Sequence, residues 1–173
     1  MSNASTYRAA DKTRDGRAIE IRAYRPEDRE VFAAAAGQVG PRSRYLRFFT
    51  VKREFSERER DFFLNVDFDK HVALVAFMDE AGKRVLVGAG RYVGVQPGKA
   101  EVAFTVIDKC QGMGIGTALV RHLAMVARAA GLHELVAEVL PENKPMLHLF
   151  QKSGLPVSIV SNPDVVHVTM QLR

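Results

Sequence analysis

The residues best suited to chemistry lie in one run, Gln111-Gly112-Met113-Gly114-Ile115-Gly116-Thr117, where three glycines alternate with other types. Without Cβ atoms, glycines let a bulky anion approach the backbone closely. The run falls between a strand-like pattern and the first turn of a long amphipathic one. Bare N–H groups at a helix start, with the dipole behind them, suit a diphosphate. The spacing Gly112-x-Gly114-x-Gly116 misses the dinucleotide fingerprint, and no Gly-Lys-[Ser/Thr] is present to hold a nucleoside triphosphate. On the glycines alone, an ordinary glycine-rich turn is the alternative. Cys110 adjoins the run but has no His–acid partnership by spacing, so it reads as a small loop residue rather than a covalent nucleophile. His71, His122, His133, His148 and His167 are scattered without metal-ligand spacing, and no metal is expected. His122 reads as a packed or half-exposed residue of the long helix.

The elements that must position this run follow from periodicity. Residues 18–24 alternate as a strand, and Pro26-Glu27-Asp28 opens a helix that runs through Ala33–Ala36 and stops near Gly37 or Gly40. Residues 41–50 and 56–66 read as two short helices. Residues 72–77, 84–93 and 100–107 are strands joined by turns at Ala81-Gly82 and Pro97-Gly98, an antiparallel meander. Ile115, Ala118, Leu119, Leu123, Val126, Ala127 and Ala130 recur at helical spacing over 114–130, with Gly131 as the C-terminal cap. A strand over 134–140, a short helix after Asn143 that ends before Gly154, and strands at 156–160 and 165–172 complete the pattern. Residues 1–15 read as a flexible N-terminal tail and 16–173 as one α+β domain.

Bulk properties narrow the class. With 173 residues and 47% hydrophobic content the chain can bury a core without staples. One cysteine excludes an internal disulfide framework and points to a cytoplasmic protein. No apolar run reaches about 18 residues, so no membrane association is expected. The net charge of +5 favours an anionic ligand. Its densest patch is Arg42, Arg44, Arg47, Lys52 and Arg53, but no nucleic-acid-binding module accompanies it. Arg42, Arg44 and Arg47 are read equally as substrate contacts and as solvated residues between core aromatics.

Gln111-x-x-Gly114-x-Gly116, between a strand and an amphipathic helix, resembles the acetyl-CoA-binding motif of the GNAT superfamily of N-acetyltransferases. The element order over 18–172 is similar too, as is Asn143 opening a short helix that closes on Lys152-Ser153-Gly154-Leu155. Arg25-Pro26-Glu27-Asp28, Ser43 to Phe49, Ala73 to Ala76, Ala100 to Ala103 and the glycine run look like the catalytic domains of Pat-type protein lysine acetyltransferases. The resemblance implies a GNAT (acyl-CoA N-acyltransferase) fold, a mixed, largely antiparallel sheet flanked by helices. It also implies acetyl-CoA as cosubstrate and direct transfer to a primary amine. A protein lysine is one acceptor, a small amine the alternative, and a non-catalytic acyl-CoA-binding module the third reading. The protein would be a monomer or a homodimer.

Carried over residue by residue, the resemblance lays the pantetheine arm beside Thr105, Val106 and Ile107, with the Val106 N–H polarising the thioester carbonyl. The amides of Gln111, Gly112, Met113, Gly114, Ile115, Gly116 and Thr117 hold the diphosphate, and Asn143 helps bind the cofactor arm. Apart from the resemblance, Arg121 and Arg128 read as the solvated face of the long helix, with a contact of Arg121 or Lys109 to the 3′-phosphate as the alternative. Glu101 stands where related protein acetyltransferases carry a general base. Apolar surroundings from Val102, Phe104 and Phe77 would raise its pKa. Phe150, also on the cofactor, stands where many relatives have the tyrosine that protonates the leaving thiolate, a role phenylalanine cannot fill.

Overall fold

A computed structural model describes residues 4–36 and 65–172. Eight strands form one sheet in the order β1-β2-β3-β4-β5-β6-β8-β7, spanning Arg8–Lys12 (β1), Ala18–Ala23 (β2), His71–Glu80 (β3), Lys83–Gln96 (β4), Lys99–Val106 (β5), Glu134–Val139 (β6), Val157–Ser161 (β7) and Val166–Gln171 (β8). Every neighbouring pair is antiparallel except β5 and β6. Helices Arg29–Ala36 (α1), Ile115–Ala129 (α2) and Lys144–Gln151 (α3) flank it among the described residues. This is the mixed, largely antiparallel α+β architecture expected. The segments expected as helices, 41–50 and 56–66 up to residue 64, lie outside the described residues, as do Arg42, Arg44, Arg47, Lys52 and Arg53. No helix among those described is long and apolar enough to cross a membrane.

Both faces of the central sheet are covered. All of β3 from His71 to Met78 is buried, as the apolar run 72–77 requires of a strand packed on both sides. On one face α2 lays Ile115, Leu119 and Leu123 against β4, each at most 1% exposed. Gly88 and Gly90 of β4 make that approach possible. A Cβ on Gly90 would lie 2.7 Å from the Phe104 ring, and one on Gly88 would lie 3.1 Å from Leu119. The Phe104 ring in turn meets Phe150 of α3 edge-on, with centroids 6.0 Å apart. Gly131 ends α2 in the left-handed region at φ 90°, and the Leu132 N–H returns to the Ala127 carbonyl at 3.0 Å.

The opposite face carries charge. Arg22, Val75, Ala89 and Thr105 stand in register across β2 to β5, one residue out of step with Gly88 and Gly90, and so point away from α2. The Arg22 guanidinium donates two bonds of 2.7 Å to the Asp28 carboxylate, which also accepts the Arg25 N–H at 2.8 Å. This pair fixes the turn Pro26–Asp28 that leads into α1.

The N-terminus corrects the expectation of a loose tail over 1–15. Residues Arg8–Lys12 pair with β2, and Asp11 binds Arg121 and His122 of α2. Arg8-Ala9-Ala10-Asp11-Lys12 has no apolar face of its own, so periodicity could not reveal it. The strand is held instead by sheet pairing and by charge.

Burial pushes the Asp28 carboxyl up, but the hydrogen bonds and charge of Arg22 and the Arg25 N–H outweigh it, and the net shift is downward. A carboxyl depressed on folding stabilises above its unfolded value, and that contribution is lost as pH falls through the folded value. Asp28→Ala should cost about 3 kcal/mol at neutral pH, since it strands a buried guanidinium. Urea unfolding at pH 7 checks this, and a loss below about 1 kcal/mol would show that Arg22 finds other partners.

Candidate active site

β5 and β6 are in register over only three pairs, Lys99–Glu134, Ala100–Leu135 and Glu101–Val136. Beyond Glu101 the two strands part and open a cavity of about 330 Å³. Phe104, Thr105 and Val106 of β5 form one wall, the glycine run and α2 the floor, and Asn143, Pro145, Met146, His148, Leu149 and Lys152 the other wall. The Ile107 N–H donates to the Val87 carbonyl at 2.9 Å. Alternation along an antiparallel strand then turns the N–H and C=O of Val106 and Phe104 away from β4, toward the gap. The Val106 carbonyl accepts the Gln111 side-chain amide at 3.2 Å, and that amide also donates to Asp108 at 3.2 Å.

The glycine run folds as its composition demands. Gly114 is the N-cap of α2 at φ 88°, a left-handed conformation costly for other residues, and the first intrahelical bond runs from Ala118 N–H to the Gly114 carbonyl. Within the described residues no hydrogen bond takes up the N–H groups of residues 112–117. They form a row of donors at the cavity floor, reinforced by the helix dipole. Asn143 is 7% exposed, and its Oδ1 caps α3 by accepting the Met146 N–H at 3.3 Å. What Asn143 can offer a ligand is therefore its amide NH2 group.

Of the twelve residues assigned to the cofactor, Thr105, Val106, Gln111, Gly112, Gly114, Ile115, Gly116, Thr117 and Asn143 line this cavity. Three do not. Ile107 is buried and turned to β4, Met113 packs on the core, and Phe150 is 1% exposed behind Phe104. The 3′-phosphate candidates also lie off the lining, Lys109 paired with Glu80 at 2.9 Å and Arg121 with Asp11 at 2.5 Å. Cys110 does line the cavity, and burial pushes its thiol up, so it stays protonated. Among the described residues no cluster of His, Cys, Asp and Glu could hold a metal. Residues the sequence reading missed are Arg14, Phe104, Pro145, Met146, His148, Leu149 and Lys152. Arg14 reaches the site from the β1–β2 turn, whose Asp15-Gly16 pair was the available signal for a hairpin.

Glu101 is exposed at the last register pair before the strands part. The three apolar neighbours expected for it do not surround it, and its register partners are Val93 and Val136 instead. Val102 and Phe104 point to the other face, and Phe77 sits six residues along β3 from His71, which shares the register row of Val93 and Glu101. On the Glu101 face lie buried Arg91 and His71, with Nη1 and Nε2 2.9 Å apart. Burial first, then the Arg91 charge, push the His71 imidazole down to about 4. The ring is therefore neutral and accepts from the guanidinium.

A model of the Acetyltransferase (GNAT) family matches residues 41–155. Acetyltransferase PA5475 of Pseudomonas aeruginosa is 34% identical over 136 residues, which are 78% of this chain and 73% of that protein. Acetyltransferase Pat of Mycolicibacterium smegmatis is 29% identical over 145 residues, 83% of this chain but only 43% of the relative, so the chain spans less than half of that protein. The crystal structure of the GNAT domain of S. lividans PAT superposes with a TM-score of 0.85 at 31% identity, covering 95% of this chain and 96% of that one.

A histidine kept neutral by the fold disfavours folding once the unfolded chain can take up its proton. Stability should therefore fall as pH drops from about 6.5 toward 4, and His71→Gln should flatten that slope. Unfolding midpoints across this range test the assignment, and an unchanged slope in the variant would place the titration elsewhere.

Proposed function

This chain belongs to the GNAT acetyltransferase family, and we propose that it moves an acetyl group from acetyl-CoA directly to a primary amine, with a protein lysine as acceptor. The observation that carries this reading is the gap between β5 and β6, with the donor row of residues 112–117 at its floor. The pantetheine arm would lie in the gap as a substitute strand, pairing with backbone groups of Phe104 and Val106, while the donor row takes the diphosphate. A thioester carbonyl held at the Val106 N–H would meet a fixed dipole as negative charge develops on its oxygen. The likeness to the GNAT domain of S. lividans PAT supports the choice of a protein acceptor.

An amine arrives protonated, because a lysine ordinarily titrates near 10.4, and must lose that proton before it attacks. We assign the proton to Glu101. It lies five residues from Val106, about 16 Å along an extended strand, so the proton would travel over bridging waters in the cleft. The amine nitrogen then bonds to the thioester carbon, the carbon–sulfur bond breaks with the electron pair leaving on sulfur, and the nitrogen gives up its second proton to water. Phe150 is buried and has no hydroxyl, so water protonates the thiolate.

Release of free thiol from acetyl-CoA, measured against lysine peptides and a panel of small amines, tests both the reaction and the acceptor. Turnover of small amines with peptides left untouched would overturn the protein acceptor. Glu101→Gln should lower turnover about 100-fold and alter the pH profile of the rate. Wild-type turnover by that variant across pH would sink the base assignment. Gly114→Glu should abolish coenzyme A binding by filling the floor with a carboxylate, and unchanged affinity would rule out this placement of the phosphates.

A further inference from the structure

We infer that Arg14, at the tip of the β1–β2 hairpin, is a ligand of the cofactor's diphosphate and flanks the glycine run at Met113 and Gly114. The inference rests on the acetyl-CoA reading above and adds a residue that no part of the glycine motif contains. The hairpin tip is rigid. The Gly16 N–H donates to the Thr13 carbonyl at 3.0 Å, the Thr13 N–H to the Arg17 carbonyl at 2.9 Å, and the Arg17 N–H to the Thr13 hydroxyl at 3.0 Å. Gly16 takes the left-handed conformation at φ 85° that such a turn needs. The Thr13 hydroxyl in turn donates to the Asp15 carboxylate.

This turn is fastened directly to the glycine run. The Arg14 N–H donates to the Met113 carbonyl at 2.8 Å, and a Cβ built on Gly114 would lie 3.1 Å from Arg14 Cγ and 3.7 Å from Nε. The strand behind it is pinned to α2, since Asp11 accepts from Arg121 at 2.5 Å and binds His122 Nε2 at 2.8 Å, while Tyr7 meets His122 Nδ1 at 2.5 Å. The guanidinium is thus delivered to the rim of the donor row by two anchors that do not involve its own nitrogens.

Charge completes the argument. Lys109 and Arg121, the cations nearest the run in sequence, are paired with Glu80 and Asp11. The exposed Arg14 side chain lines the cavity and has no acidic partner among the described residues. A guanidinium fork so placed matches the geometry of phosphate oxygens.

Titration calorimetry with coenzyme A, 3′-dephospho-coenzyme A and phosphate-free pantetheine tests this on the full chain. Arg14→Ala keeps the backbone N–H that holds Met113, so it isolates the guanidinium, and an unchanged melting temperature checks that the hairpin survives. The variant should raise Kd for coenzyme A about tenfold or more, with the same factor for the dephospho form and no change for pantetheine. Arg14→Lys should recover part of the loss. Equal affinity of Arg14→Ala and wild type for coenzyme A would overturn the assignment, as would a loss that disappears with the dephospho form. Failure of the wild-type protein to bind coenzyme A would overturn the cofactor reading itself, and Arg14 with it.

Discussion

The constraint on which the rest depends is that β5 stops pairing with β6 while it still pairs with β4 on its other side. Backbone N–H and C=O groups are obligatory hydrogen-bonding groups, and leaving them bare beside an apolar wall is costly. Beyond Glu101 no strand among the described residues pairs with this edge, so the groups of Phe104 and Val106 are open to water or to a ligand that imitates one. Part of that demand is met internally, by the Gln111 amide on the Val106 carbonyl. One glutamine thereby connects the strand wall to the glycine floor and sets the distance between them.

Around the gap the molecule uses two kinds of support. The α2 side is apolar and closely packed, with Ile115 and Leu119 against two glycines of β4. The hairpin side is polar, and its contacts to the glycine run and to α2 are hydrogen bonds and ion pairs. Close packing fixes position to a fraction of an ångström, whereas exposed ion pairs contribute little stability and are screened by salt. The floor of the cleft is accordingly held by packing, and its outer rim by hydrogen bonds and ion pairs.

Most of the architecture was legible in the sequence because it is written in apolar periodicity. The α2 stripe, the meander and the closing strands all bury side chains, and burial leaves a pattern. The glycine run was legible because positive φ and bare amides require glycine. The parts that stayed hidden are those held by polar contacts between distant residues. β1 shows no stripe, and Arg14 joins the cleft only through a backbone bond to Met113, 99 positions along the chain. Glu101 was assigned apolar neighbours by adjacency in sequence, but strand alternation turns Val102 and Phe104 away and the register removes Phe77. Lys109 and Arg121 looked free because an acid's partner cannot be read from linear order.

Gly90 carries a consequence beyond its own strand. The absent methyl group leaves room for the Phe104 ring, which lines the cleft and leans edge-on against Phe150 inside α3. An alanine at position 90 would push the first ring, the first ring the second, and the second the helix that bears the far wall. Cleft width is thus set by steric relay from a strand interior, at a position touching neither ligand nor solvent. Cores yield little to an added carbon, so a small change in residue size at this buried position would be felt at the cleft wall.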